Sequence, residues 1–255
     1  MLKIYGVPNS QPVRAVVWAC LMKRLPFDLV LTNQNRDAKE SGYLKSVNPR
    51  GTIPSIDDDG VVLWESHAIL VYLSEKHGWN DLWPTDLVHR SRVNQYLHFH
   101  HRNTRELVIQ WSRALWPSVF GRRDPDEAWL RRNTFPGLTN NAGVVTRTLE
   151  IIDGMLAHAE HIAGPGGLTL ADIVAYEELG QNQAAYANCT DYSAYENIRR
   201  WFDTMAAAPA HAEAHAVWGL IGDVNRIQGG MSTIVAANKA AARVWRDAAE
   251  NMTPG

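Results

Sequence analysis

The sequence predicts an α/β domain with a four-stranded mixed sheet, followed by an all-helical domain. Three observations lead there. Over the first 77 residues, short apolar runs of strand length alternate with runs of helical periodicity, in the order βαβ-α-ββα. Beyond a turn-rich stretch at 78–86, strand-like alternation stops and helical spacing dominates. At 255 residues the chain is also long enough for two domains of about 100–200 residues each. The expected division is an α/β domain over 1–77, a linker over 78–88 and a helical domain over 89–255.

Residues 2–5 are short and apolar and read as a strand, and Gly6-Val7-Pro8-Asn9 reads as a loop. A helix follows at Ser10-Gln11-Pro12, with Ser at the cap, Pro in the first turn, and Val13, Val16, Val17, Cys20 and Leu21 at helical spacing. A second strand at 27–31 comes after that helix, so the two strands should be parallel. A polar stretch and a weak helix around 42–47 lead to a hairpin. Its turn is Asp58-Asp59-Gly60, because Asp-Gly suits the positive φ of a short hairpin. A helix over 66–76 closes the domain. This order is the thioredoxin-like arrangement. In the second half, helices are expected over 87–116, 138–162, 169–186, 195–208 and 232–251, with a charged connection at 121–136. Thr169-Leu-Ala-Asp172 reads as a capping box with a folding role.

The totals exclude several classes. A hydrophobic content of 45% and a charged content of 20% are those of an ordinary globular protein. A formal net charge of −2 calls for neither nucleic acid nor an anionic membrane. Cys20 and Cys189 are too few for a disulfide framework or a four-cysteine zinc site, and they suit a reducing compartment. The first residues carry no apolar core of signal-peptide length, and no run approaches membrane-span length. The expected compartment is cytoplasmic. His98, His100 and His101 lack a completing carboxylate pattern and read as helix-surface residues rather than a metal site.

Two motifs carry more. Ser10-Gln-Pro-Val-Arg-Ala-Val16 opens the first helix. Ile53-Pro54 opens the hairpin, and Glu65-Ser-His-Ala-Ile-Leu70 opens the helix behind it. Taken singly, Pro54 is a strand opener, Ser66 a helix cap and Ser10 another cap. Taken in this order they resemble the cytosolic glutathione transferases, and the two motifs resemble the theta-like class, as does Leu115-Trp116. The resemblance implies a cis Ile53-Pro54 bond and a homodimer. It also implies glutathione as co-substrate without a metal, and conjugation of its thiolate to small hydrophobic or halogenated electrophiles. A non-enzymatic ligand-binding protein of the same fold is the alternative.

The resemblance also assigns residues. Ser10 is the catalytic serine, its hydroxyl stabilising the thiolate together with the start of the helix; Tyr5 is the rival. No cysteine stands between Pro8 and Pro12, so disulfide exchange through a protein thiol at this turn is not expected. Glutathione would be held by Gln11, Lys39, Arg50, Thr52, Ile53, Pro54, Glu65 and Ser66. In that set Glu65 faces the ammonium, Ser66 the γ-glutamyl carboxylate, and the Ile53 backbone the cysteinyl unit. Lys39 stands where the class has a His and Thr52 where it has a Lys, so the glycyl carboxylate falls to Lys39 and Arg50. The electrophile would meet Arg105, Trp111, Trp116 and Trp245. The C-terminal segment, with Ile234, Ala237, Ala241, Val244 and Trp245 at helical spacing, would form a lid over the thiolate.

Overall fold

The computed structural model describes residues 1–108 and 141–252. The expected charged connection at 121–136, Trp111, Leu115-Trp116 and the far end of the helix expected over 87–116 lie outside the described residues. Chain contacts divide the molecule into two compact units. The first is Met1–Trp83 with Ala207–Leu220 and Ala236–Gly255; the second is Pro84–Ala206 with Ile221–Val235.

The first unit contains the predicted sheet. β1 (Leu2–Gly6), β2 (Asp28–Leu31), β3 (Ser55–Asp58) and β4 (Val61–Trp64) lie in the order β2-β1-β3-β4. β1 pairs parallel with β2 and antiparallel with β3, and β3 pairs antiparallel with β4. The β3–β4 hairpin turns on Asp59 and Gly60, both at positive φ (51° and 95°), as an Asp-Gly turn matched to strand twist should. Asp58, buried at the end of β3, accepts from Lys76 Nζ at 2.5 Å and Tyr72 Oη at 3.0 Å, which ties the hairpin to the helix that follows it. The helices are α1 (Gln11–Met22), α2 (Ser41–Ser46) and α3 (Ser66–His77), the last ending on Gly78 at φ 66°.

α1 is buried on nearly every side. Ten of its twelve residues are buried, Arg14 and Trp18 completely. A helix buried all round needs cover on its outer face as well as on the sheet face. Here the cover comes from the far end of the chain. Trp18 donates from Nε1 to the Pro209 carbonyl at 2.9 Å and meets the rings of His211 and His215 edge-on. Those histidines belong to the short helix α8 (His211–Ala214) and its end. Truncating Trp18 to Ala would cost about 3–5 kcal/mol, the usual range for a buried aromatic.

The second unit holds α4 (Leu87–His100), α5 (Asn141–Leu156), α6 (Leu170–Leu179) and α7 (Glu196–Ala206). α9 (Ala216–Ile221) and α10 (Met231–Glu250) follow in the chain. The capping box of α6 is present. Asp172 accepts from the Thr169 N–H at 3.0 Å, the Ile162 N–H at 2.8 Å and Trp201 Nε1 at 3.1 Å, so one buried carboxylate knots three segments. The helix expected over 87–116 breaks after His100. Asn103 turns its amide onto the Phe99 carbonyl at 2.8 Å and takes the place of a backbone donor; a 3₁₀ turn, Thr104–Leu107, follows. Similarly, Asn182 bonds the Glu178 carbonyl at 2.8 Å, and α6 passes into a 3₁₀ turn well before residue 186. His100 corrects a second expectation: it is buried and faces the Glu178 carboxylate at 3.9 Å rather than lying on the helix surface. Among the described residues no helix is long and apolar enough to cross a membrane.

Candidate active site

The sheet register brings three predicted segments to one end of the first unit. Tyr5 near the end of β1 pairs with Ser55 at the start of β3, and Ser55 pairs with Trp64 at the end of β4. The loop after β1, the loop before β3 and the residues after β4 therefore converge. These are the Ser10 turn, Ile53-Pro54 and Glu65-Ser66.

The first segment enters α1. A Cβ on Gly6 would stand 2.5 Å from Val13 Cγ2, so glycine lets the first turn of the helix close on the strand end. Ser10 occupies the N-cap with extended backbone (φ −83°, ψ 118°), its N–H donating to the Val7 carbonyl at 3.1 Å. Its side chain makes no capping hydrogen bond. It holds the cap position without capping, and the hydroxyl is not spent on the helix. No acidic residue in the first turn neutralises the positive end of α1. Gln11 beside it is buried. Tyr5, the rival, is half-buried, its ring edge-on to Tyr43 at 5.9 Å.

The second segment is a loop held from within. The Ile53-Pro54 bond is cis, and both residues are buried. The buried amide of Asn48 reaches the Thr52 carbonyl (3.0 Å), Thr52 Oγ1 (3.0 Å) and Ser55 Oγ (3.2 Å). Tyr43 Oη lies 2.8 Å from the Thr52 carbonyl and 2.9 Å from Ser55 Oγ. Burial pushes the Tyr43 phenol up, so it remains a neutral hydrogen-bonding group at ordinary pH. Gly51 sits at φ 62°, and Lys39 donates from Nζ to its carbonyl at 2.6 Å. Lys39 is thereby brought to this loop, and Arg50 next to it is exposed. Asn48 and Tyr43 carry the loop yet went unassigned on sequence, because an Asn and a Tyr in a weak helical stretch give no periodic signal.

The third segment has an unusual backbone. Glu65, the N-cap of α3, stands at φ 72°, ψ 111°, a region an L side chain rarely adopts. It is exposed and makes no capping bond; Ser66 begins the helix, with no acid in the first turn. A strained non-glycine residue beside a helix start is a mark of a ligand clamp. Chemically, the three segments offer two helix starts for anions, a hydroxyl, an exposed carboxylate for a cation, and a loop edge for an extended ligand.

The residues expected on the electrophile side fare differently. Arg105 is paired with the buried Glu178 carboxylate, a commitment within the helical unit. Trp245 is fully buried and donates from Nε1 to the Glu213 carbonyl at 3.0 Å, which makes it a packing residue rather than an exposed wall. Trp111 and Trp116 lie outside the described residues. A cavity of about 710 Å³ in the second unit, lined by Gln183, Cys189, Tyr192, Arg199, Phe202 and Asn225 among others, contains none of the predicted site residues. Among the described residues no group of His, Cys, Asp or Glu is arranged to hold a metal ion. Cys20 is a core residue, as its spacing suggested.

Known proteins match this chain along its length. Residues 4–81 match the glutathione S-transferase N-terminal domain, and residues 138–209 the C-terminal domain. Glutathione S-transferase theta-1 of Homo sapiens is 30% identical over 222 residues, covering 85% of this chain and 88% of that one. Glutathione S-transferase 2 of Anopheles gambiae is 30% identical over 220 residues, covering 84% and 95%. Among solved structures, the apo form of human glutathione-S-transferase T1-1 superposes with a TM-score of 0.74 at 25% identity, over 96% of this chain and 100% of that one.

Proposed function

The chain belongs to the glutathione S-transferase family, on its theta-like side, and on that premise we propose that Ser10 activates the thiol of bound glutathione for attack on small hydrophobic or halogenated electrophiles. The observation that carries the reading is the Ser10 hydroxyl, set at a helix start with no acid in its first turn and not used as a cap. A hydrogen bond donated to sulfur, added to the helix dipole, favours thiolate over thiol. The thiol proton leaves to solvent and Ser10 keeps its own. The thiolate forms a C–S bond with the electrophilic carbon, and the leaving group departs with the bonding pair.

The convergent segments supply the rest. Glu65 pairs with the glutathione ammonium, and Ser66 with the start of α3 takes the γ-glutamyl carboxylate. The Ile53 backbone before cis-Pro54 pairs with the cysteinyl unit like an added strand. Lys39, Arg50 and Thr52 face the glycyl end, and Gln11 lines the Ser10 side. Residues 1–77 carry glutathione binding, supported by the 207–220 and 236–255 stretches that belong to the same unit; 78–88 is the linker, and the remainder of 89–255 supplies the electrophile side. The enzyme acts as a cytoplasmic homodimer and needs no metal.

Ultraviolet titration of the protein–glutathione complex tests the chemistry. Bound thiol is expected to ionise well below its free value. Ser10→Ala should return it toward that value and lower kcat roughly 10²-fold, with the glutathione Kd changed less than about threefold. An unshifted bound thiol in the wild type would move the assignment to a ligand carrier of the same fold.

A further inference from the structure

We infer that Asn238, on the C-terminal helix α10, is a positioning residue for Ser10, working with Arg14 to clamp the one peptide unit that precedes the Ser10 turn. The inference rests on the Ser10 assignment above and adds to it how the hydroxyl is held.

The unit is the Pro8–Asn9 peptide, gripped at both of its polar ends. Its carbonyl, on Pro8, accepts from Arg14 Nη1 at 3.1 Å. Its N–H, on Asn9, donates to Asn238 Oδ1 at 2.8 Å, across 229 positions of sequence. Arg14 is itself immobilised: it is fully buried, with its guanidinium 4.7 Å from the ring centre of Trp218. On the far side of Asn9, the Ser10 N–H closes back on the Val7 carbonyl. The proline ring fixes φ at residue 8. What remains free in such a turn is rotation about ψ of Pro8 and φ of Asn9, and a change in either that the other does not cancel would swing Ser10 Cβ and Oγ. Two bonds from opposite sides stop that rotation.

The clamp matters because a hydrogen bond to a thiolate is useful only at a fixed distance. A misplacement of about 1 Å can cost a catalytic group as much as 10²-fold. Asn238 bonds Asn9 and acts on Ser10 through it. It is also separable from general docking of the helix. α10 has a second latch on the same unit, Arg246 Nη2 donating to the Leu29 carbonyl of β2 at 3.1 Å, on a strand remote in sequence from the turn.

The experiment compares Asn238→Ala, Arg246→Ala, Ser10→Ala and the Ser10→Ala/Asn238→Ala double variant. Each is read by ultraviolet titration of bound glutathione, by kcat and KM, and by thermal unfolding. Asn238 is half-buried, and Ala is the better helix former, so the variant should fold; Asn238→Leu serves as a second removal of the acceptor. Removing the acceptor should raise the pKa of the bound thiol by about half to one unit and lower kcat about three- to tenfold. KM for glutathione should stay within about twofold. Arg246→Ala should lower the melting temperature and leave the thiol pKa in place. In the Ser10→Ala background, Asn238→Ala should add nothing. The inference is overturned if Asn238→Ala and Asn238→Leu leave the thiol pKa unmoved while Ser10→Ala shifts it, or if Arg246→Ala shifts it equally. If Ser10→Ala itself shifts nothing, the Ser10 assignment falls first and the clamp with it.

Discussion

Glu106 carries a charge problem that the fold does not resolve. It is 1% exposed, and among the described residues neither carboxylate oxygen has a hydrogen-bond partner. Loss of hydration pushes its carboxyl up to about 7, with Arg105 and Arg102 pulling the other way. Between the ordinary value of 4.5 and 7, the folded chain keeps a proton that the unfolded chain gives up. Stability should therefore fall as pH rises through that window. Glu106→Gln should melt close to the wild type at pH 4.5 and several degrees above it at pH 8, read by differential scanning calorimetry. Glu65 sets function against backbone comfort instead. Its positive φ costs about 1–3 kcal/mol for an L residue, which glycine would not incur. Glu65→Gly should keep or raise the melting temperature while weakening glutathione binding about tenfold or more in isothermal titration. A drop in stability would show that the residue is relaxed there.

The close approach of β1 and α1 makes a testable pair of elements. Gly6→Ala places a methyl against Val13 and should destabilise by about 1–3 kcal/mol in urea unfolding; adding Val13→Ala should recover much of that loss. If the double variant is simply the sum of its parts, the contact is not the cause. Elements governed by local chemistry were legible in the sequence. The hairpin turn at Asp59-Gly60, the α1 start at Ser10-Gln11-Pro12 and the Thr169–Asp172 box all stand where residue type and spacing placed them. The three segments were legible as turns and helix starts for the same reason; their reading as one site came from the family resemblance. What escaped depends on distant partners. The break after His100 needs Asn103 to find the Phe99 carbonyl. Arg105, expected on the electrophile side, is paired with Glu178, a partner 73 positions away that no local pattern announces. Nothing around residue 238 signals a bond to residue 9.

The first unit is discontinuous in sequence, and that is the property of the whole molecule that periodicity could not show. Met1–Trp83 is joined by Ala207–Leu220, which covers α1, and by Ala236–Gly255, which reaches the Ser10 turn and β2. A fragment of residues 1–83 should therefore lack cover for Trp18 and lose the Trp218 ring beside Arg14 and the Asn238 acceptor of Asn9. Expressed alone it should aggregate, or show no cooperative melt by circular dichroism; a cooperative melt would mean the sheet and α3 suffice. On the ribosome the same discontinuity becomes a matter of timing. The first 83 residues emerge while the stretches that complete them are still unmade, and at about 5–20 residues per second the wait lasts on the order of ten seconds or more. Through that interval α1 has no outer layer, so the nascent chain offers Trp18 and its valine-rich neighbours to whatever is nearby. The strand order can be established early, but the turn that presents Ser10 acquires its last tether only when residue 238 has cleared the exit tunnel.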